Sequence, residues 1–84
     1  MSIVNWSVLY DFLNTKKDVS RITLTFEELE RILGNKLPES AFIYDAYWRN
    51  DKTHSQARTW MNAGWKTIKP NPHERKITFI RYFS

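Results

Sequence analysis

Four polar side chains recur along residues 54–63 at the spacing of one helix face: Ser55, Arg58, Thr59 and Asn62. A row of short donors and acceptors around one guanidinium suits base edges and phosphates when a helix enters a major groove. Arg58 can engage a guanine edge or a phosphate through two bonds, whereas Asn62 is neutral and suits a base edge. His54 and Gln56 flank the row near the N-terminus, where free amides and the helix dipole favour an anion. The opposite face carries Ala57, Trp60, Met61 and Gly64. That face is core, and Trp60 and Met61 are read as packing. Any surface helix turns polar residues outward, so the row gains meaning only from what surrounds it.

Its surroundings are basic. The chain of 84 residues has 13 Lys and Arg against 9 Asp and Glu, a net charge of +4, and the charges are segregated. Residues 1–48 balance at −2, while residues 49–84 hold eight basic side chains against Asp51 and Glu74, a balance of +6. A segment with that excess is an electrostatic footprint for a polyanion. Arg49 and Lys52 lead into the helix, and a second basic group, Lys69, His73, Arg75 and Lys76, lies on residues 69–76. Pro70 and Pro72 mark 69–76 as the tip of a hairpin between runs at 65–69 and 76–83, because proline supports a turn and cannot donate to a ladder.

Other elements must position these groups. Ser7 is expected to cap a first helix with Val8, Leu9, Phe12 and Leu13 on one stripe, closed by Lys16 and Lys17. The alternation of 21–24 permits a short strand. Thr25 with Glu28 forms a capping box for a helix whose apolar face is Phe26, Leu29, Ile32 and Leu33, and Gly34 stands at its C-terminus. Pro38 favours a further helical turn. Residues 43–48 suit either a strand or a continued helix.

The expected fold is α+β, one small domain over 1–84, winged-helix-like, with three helices and a C-terminal β-hairpin. It becomes a three-stranded antiparallel sheet if 43–48 is a strand. In the winged layout the tip sets Lys69, His73, Arg75 and Lys76 beside the phosphate backbone, next to the helix face that carries Arg58. The link from Gly34 to His54 is a misfit, being far longer than the turn of about three or four residues in a simple helix-turn-helix.

Catalysis is not expected. The chain has no Cys and only His54 and His73, too few ligands for a metal site, and its two glycines form no phosphate loop. No cofactor is implied. Asp51 with His54 reads as a turn and cap rather than a hydrolytic pair. The N-terminus lacks the pattern of a leader and no apolar run is long enough to span a bilayer, so a cytoplasmic protein without a membrane partner is expected. Nucleic acid, DNA in particular, is the expected partner. The alternatives are a host protein, bound and inhibited through exposed aromatics such as Tyr44, Tyr47 or Trp48, and a purely structural domain that mediates self-association.

From residue 24 onward the strings LTFEELERILGNKLPESA, YWRND, HSQARTWMNAGW and ITFIRY resemble a small bacterial and phage domain family of uncharacterised function. The resemblance implies domains that occur alone or joined to restriction-enzyme-like proteins, hence a setting associated with DNA or mobile elements, and no catalytic residue. It points to Ser40, Trp48, Asn50, Gln56, Trp60 and Trp65. Tyr47-Trp48 stands where the pattern has two adjacent Trp.

Overall fold

The computed structural model describes residues 5–16 and 18–82. Lys17 and Phe83, expected at the ends of the first helix and last strand, lie outside the described residues. The order is α1 (Ser7–Asn14), β1 (Arg21–Thr25), α2 (Phe26–Leu33), α3 (Ser40–Ile43), a 3₁₀ turn (Asp45–Trp48), α4 (Ser55–Asn62), β2 (Trp65–Asn71), a second 3₁₀ turn (Pro72–Glu74) and β3 (Lys76–Arg81). The strands form one antiparallel sheet in the order β1-β3-β2.

The helix starts follow local chemistry. At α2 the Thr25 hydroxyl accepts from the Glu28 amide and the Glu28 carboxylate accepts from the Thr25 amide, the reciprocal capping box expected. Gly34 ends the helix at φ 72°, a conformation that costs a residue with a Cβ. At α1, Ser7 is the first helical residue rather than its cap. The Asn5 carboxamide oxygen instead accepts from both the Ser7 amide and hydroxyl.

The helices bury their apolar stripes against one face of the sheet. Leu9 and Leu13 of α1, Phe26, Leu29 and Leu33 of α2, and Ala57 and Trp60 of α4 meet Leu24, Trp65, Ile77 and Phe79. Trp48 and Trp60 are fully buried, their rings stacked with centroids 6.1 Å apart. Glu30 shapes the exit from α2, since its carboxylate accepts from the Leu37 amide at 2.9 Å and folds Leu37 onto the core.

Residues 43–48 do not supply the third strand. Tyr44 is extended, but the chain then coils into the 3₁₀ turn, which brings the Trp48 indole under α3 to donate to the Ala41 carbonyl at 2.9 Å. The third strand is β1, on the far side of β3.

Candidate nucleic-acid interface

Two packed surfaces hold α4, one against α1 and one against β2. Ala57 and Trp60 are wholly buried, while Ser55, Arg58 and Asn62 face solvent, so the amphipathic split read from the sequence is real. Arg58 has no carboxylate partner among the described residues, in contrast to Arg31, which pairs with Glu27 at 2.7 Å. Thr59 is half-buried, and its hydroxyl donates back to the Ser55 carbonyl at 3.2 Å. Gln56 leaves the row altogether. It is buried, and its side-chain amide donates to the Tyr47 carbonyl at 3.1 Å. The signal was in the spacing, because Gln56 stands one turn before Trp60 and shares its stripe.

The approach to α4 is fixed at Asn50. Its carboxamide oxygen accepts from the Thr67 amide at 2.8 Å and the Trp60 indole at 3.0 Å, and its nitrogen donates to the Thr67 carbonyl at 2.9 Å. The Thr67 hydroxyl donates to the Trp48 carbonyl. Arg49 and Lys52 are exposed on either side of this anchor. Asp51 makes a turn of its own: its carboxylate accepts from the Thr53 amide and hydroxyl, bonds that hold its pKa below the ordinary 3.8. His54 then stands at the N-cap of α4, its ring 3.9 Å from that carboxylate, and no side chain caps the helix. Among the described residues no three His, Asp or Glu side chains gather as a metal site would need.

The hairpin tip is docked rather than free. Its 3₁₀ turn packs on α3 with Pro72 buried, and the Arg75 carbonyl accepts from the Phe26 amide at 2.8 Å. The Arg75 guanidinium lies 5.6 Å above the centre of the Phe42 ring, a cation–π contact. Arg75 and Lys69 hold positive φ, 55° and 45°, at either end of the tip, and the ladder slips between Ile68 and Asn71. Lys69 and His73 are exposed. Lys76 alternates with Ile77 and Phe79, which point into the core, so its side chain stands on the sheet face turned away from the helices.

Of the basic groups expected to converge, Lys76 does not share the side of the sheet that carries the helices. Arg58 belongs to the helical side, Arg75 leans on Phe42, and Lys76 is on the far side of the sheet. Residues singled out by the resemblance have internal roles: Trp48, Trp60 and Trp65 are core, Gln56 and Asn50 brace the chain before α4, and the Ser40 carbonyl accepts from the Tyr44 amide.

That arrangement runs through a family match. A model described as a domain of unknown function (DUF7662) matches residues 6–82. The chain belongs to that family. No curated protein and no solved structure matches it. The DUF7662 match takes in every described element, from α1 to β3, and with them the whole core.

Proposed function

We propose that this chain is a nucleic-acid-binding module that uses the exposed face of α4, with duplex DNA as its preferred partner. The observation that carries the reading is Arg58: exposed, without a carboxylate partner among the described residues, flanked by Ser55 and Asn62, on a helix whose other face is locked into the core by Trp60. A guanidinium displayed from a rigid helix loses little order on binding, which favours specific contacts. On a winged-helix reading of this order of elements, α4 would take the place of the recognition helix. Arg49 and Lys52, beside the Asn50 anchor, add cations near its N-terminus. A DNA-associated setting, implied by the likeness to domains joined to restriction-enzyme-like proteins, agrees with this.

The test is fluorescence anisotropy of labelled duplex DNA, single-stranded DNA and RNA at low salt, with the parent chain and Arg58→Ala. Binding by the parent that weakens in the variant supports the reading. Absence of binding to all three, or equal binding by the variant, overturns it.

One observation favours a protein partner instead. Ile43 and Tyr44 are 48% and 59% exposed and line a groove of about 310 Å³ with Pro70, Pro72 and His73. Trp48 is buried and Tyr47 half-buried, so an inhibitory contact would centre on Ile43 and Tyr44. Retained capture of a host protein after Arg58→Ala, lost on Tyr44→Ala, is the outcome that selects this reading.

A further inference from the structure

The two edges of the sheet are treated differently. On the β2 edge, the amide and carbonyl of Thr67 are both taken by the Asn50 side chain, which blocks a strand from docking there. On the β1 edge the hydrogen-bond parity leaves groups open. The Ser20 carbonyl accepts from Arg81, and the Phe26 amide donates to the Arg75 carbonyl, both in the register that pairs Ile22 with Phe79. Opposed residues in an antiparallel ladder alternate between bonded and unbonded pairs. Ser20, Ile22, Leu24 and Phe26 thus bond to β3, and Arg21, Thr23 and Thr25 aim their peptide groups outward. Thr25 is satisfied because its amide donates to Glu28. The amides and carbonyls of Arg21 and Thr23 have no partner among the described residues.

We infer that a second copy of this chain occupies this edge, the two β1 strands pairing antiparallel about a two-fold axis at Ile22 to give a continuous six-stranded sheet. This register sets Arg21 against Thr23 of the other copy, and the reverse, so each unpaired amide and carbonyl meets its complement. It opposes no like charges, which would destabilise a cross-strand pair. Half-buried Ile22 meets its own copy at an unbonded position, where side chains approach closely, and exposed Val19 comes opposite Thr25. The capping box at Thr25 is untouched. Centring the axis on Thr23 instead would set Arg21 against Thr25, whose amide is already committed to Glu28, so the strand itself selects the register.

Sedimentation equilibrium of the full chain over a concentration series tests this, with hydrogen exchange of the Arg21 and Thr23 amides read alongside. Thr23→Pro removes an outward amide and spares the ladder to β3, a position where an edge strand accepts proline. Arg21→Pro repeats the test at the strand's first residue and decides the matter should Thr23→Pro fail to fold. Thr23→Val, which loses the hydroxyl contact to Thr78 but keeps its amide, is the control. The expected result is a parent and Thr23→Val that reach the mass of two chains with slow exchange at Arg21 and Thr23. The proline variants, folded by circular dichroism, should associate about tenfold more weakly or worse. A parent that stays at one chain throughout overturns the proposal, as does a folded proline variant that pairs like the parent.

Discussion

The side chain of Asn50 pairs with the backbone of Thr67 as a neighbouring strand would, accepting from its amide at 2.8 Å and donating to its carbonyl at 2.9 Å. One carboxamide thereby ends the sheet, receives the Trp60 indole and sets the direction in which the chain enters α4. Removing it disturbs the sheet edge and the helix together.

Asn50→Leu leaves the Thr67 amide and carbonyl and the Trp60 indole without their partner, so a loss of about 1–3 kcal/mol is expected. Asn50→Asp is expected to cost less, because the carboxylate still accepts from both donors and offends only the Thr67 carbonyl. Urea denaturation of the two variants beside the parent checks the order. Equal stability of Asn50→Leu and the parent would mean that water takes over the role of the amide.

Trp60→Ala opens a cavity beneath Trp6, Trp48 and Phe79, whose rings lie 5.6–6.1 Å away. Losses for such truncations run at about 3–5 kcal/mol. Against a total of about 5–15 kcal/mol for a typical protein, a chain this small should be largely unfolded or close to it at moderate temperature. Thermal denaturation followed by circular dichroism provides the measurement, and an unchanged melting curve would contradict the packing of α4.

Arg58→Ala should leave the melting curve intact and weaken duplex binding, whereas Asn62→Ala should alter sequence preference by about 1–3 kcal/mol at a contacted base. Parent binding should fall steeply as salt rises, since phosphate contacts release counterions. Lys76→Ala is the negative control, because its side chain stands on the sheet face turned away from α4. A salt titration of all three variants gives the answer, and a Lys76→Ala that binds as weakly as Arg58→Ala would place the contact on the sheet.

The capping box predicts an acid-sensitive helix. The bond donated by the Thr25 amide, with the Thr25 side chain beside it, holds the Glu28 carboxyl below its usual 4.5. A lowered folded-state pKa stabilises above the unfolded value and is lost as pH falls through the folded one. Melting temperature plotted against pH should therefore decline below about 4.5. Glu28→Gln keeps an acceptor without the titration, so its acid limb should be flatter; parallel limbs would assign the acid sensitivity to other carboxylates.

The fold was legible where local chemistry dominates. Thr25, Glu28 and Gly34 mark both ends of α2 without reference to anything distant, and the spacing of Ala57 and Trp60 gives the inner face of α4. Partners separated by many residues were not legible. The five residues of β1 permit a strand but do not say which strand they join, and the aromatics of 43–48 fit a strand until the Trp48 indole finds the Ala41 carbonyl. Lys76 and Gln56 were misplaced although their periodicity held the answer: each was grouped by charge or polarity instead of by the buried neighbours whose alternation fixes its side.

Trp48 and Trp60 stack at 6.1 Å with their planes 20° apart, and Trp6 meets both nearly edge-on at 6.2 and 6.1 Å. Indoles this close couple their ultraviolet transitions, so the native chain carries an optical signature that depends on the mutual orientation of three rings. Near-ultraviolet dichroism and tryptophan emission thus report directly on the contact between α1, the 3₁₀ turn and α4. A ligand that shifts α4 by a fraction of its diameter would register in the spectrum of the unlabelled protein.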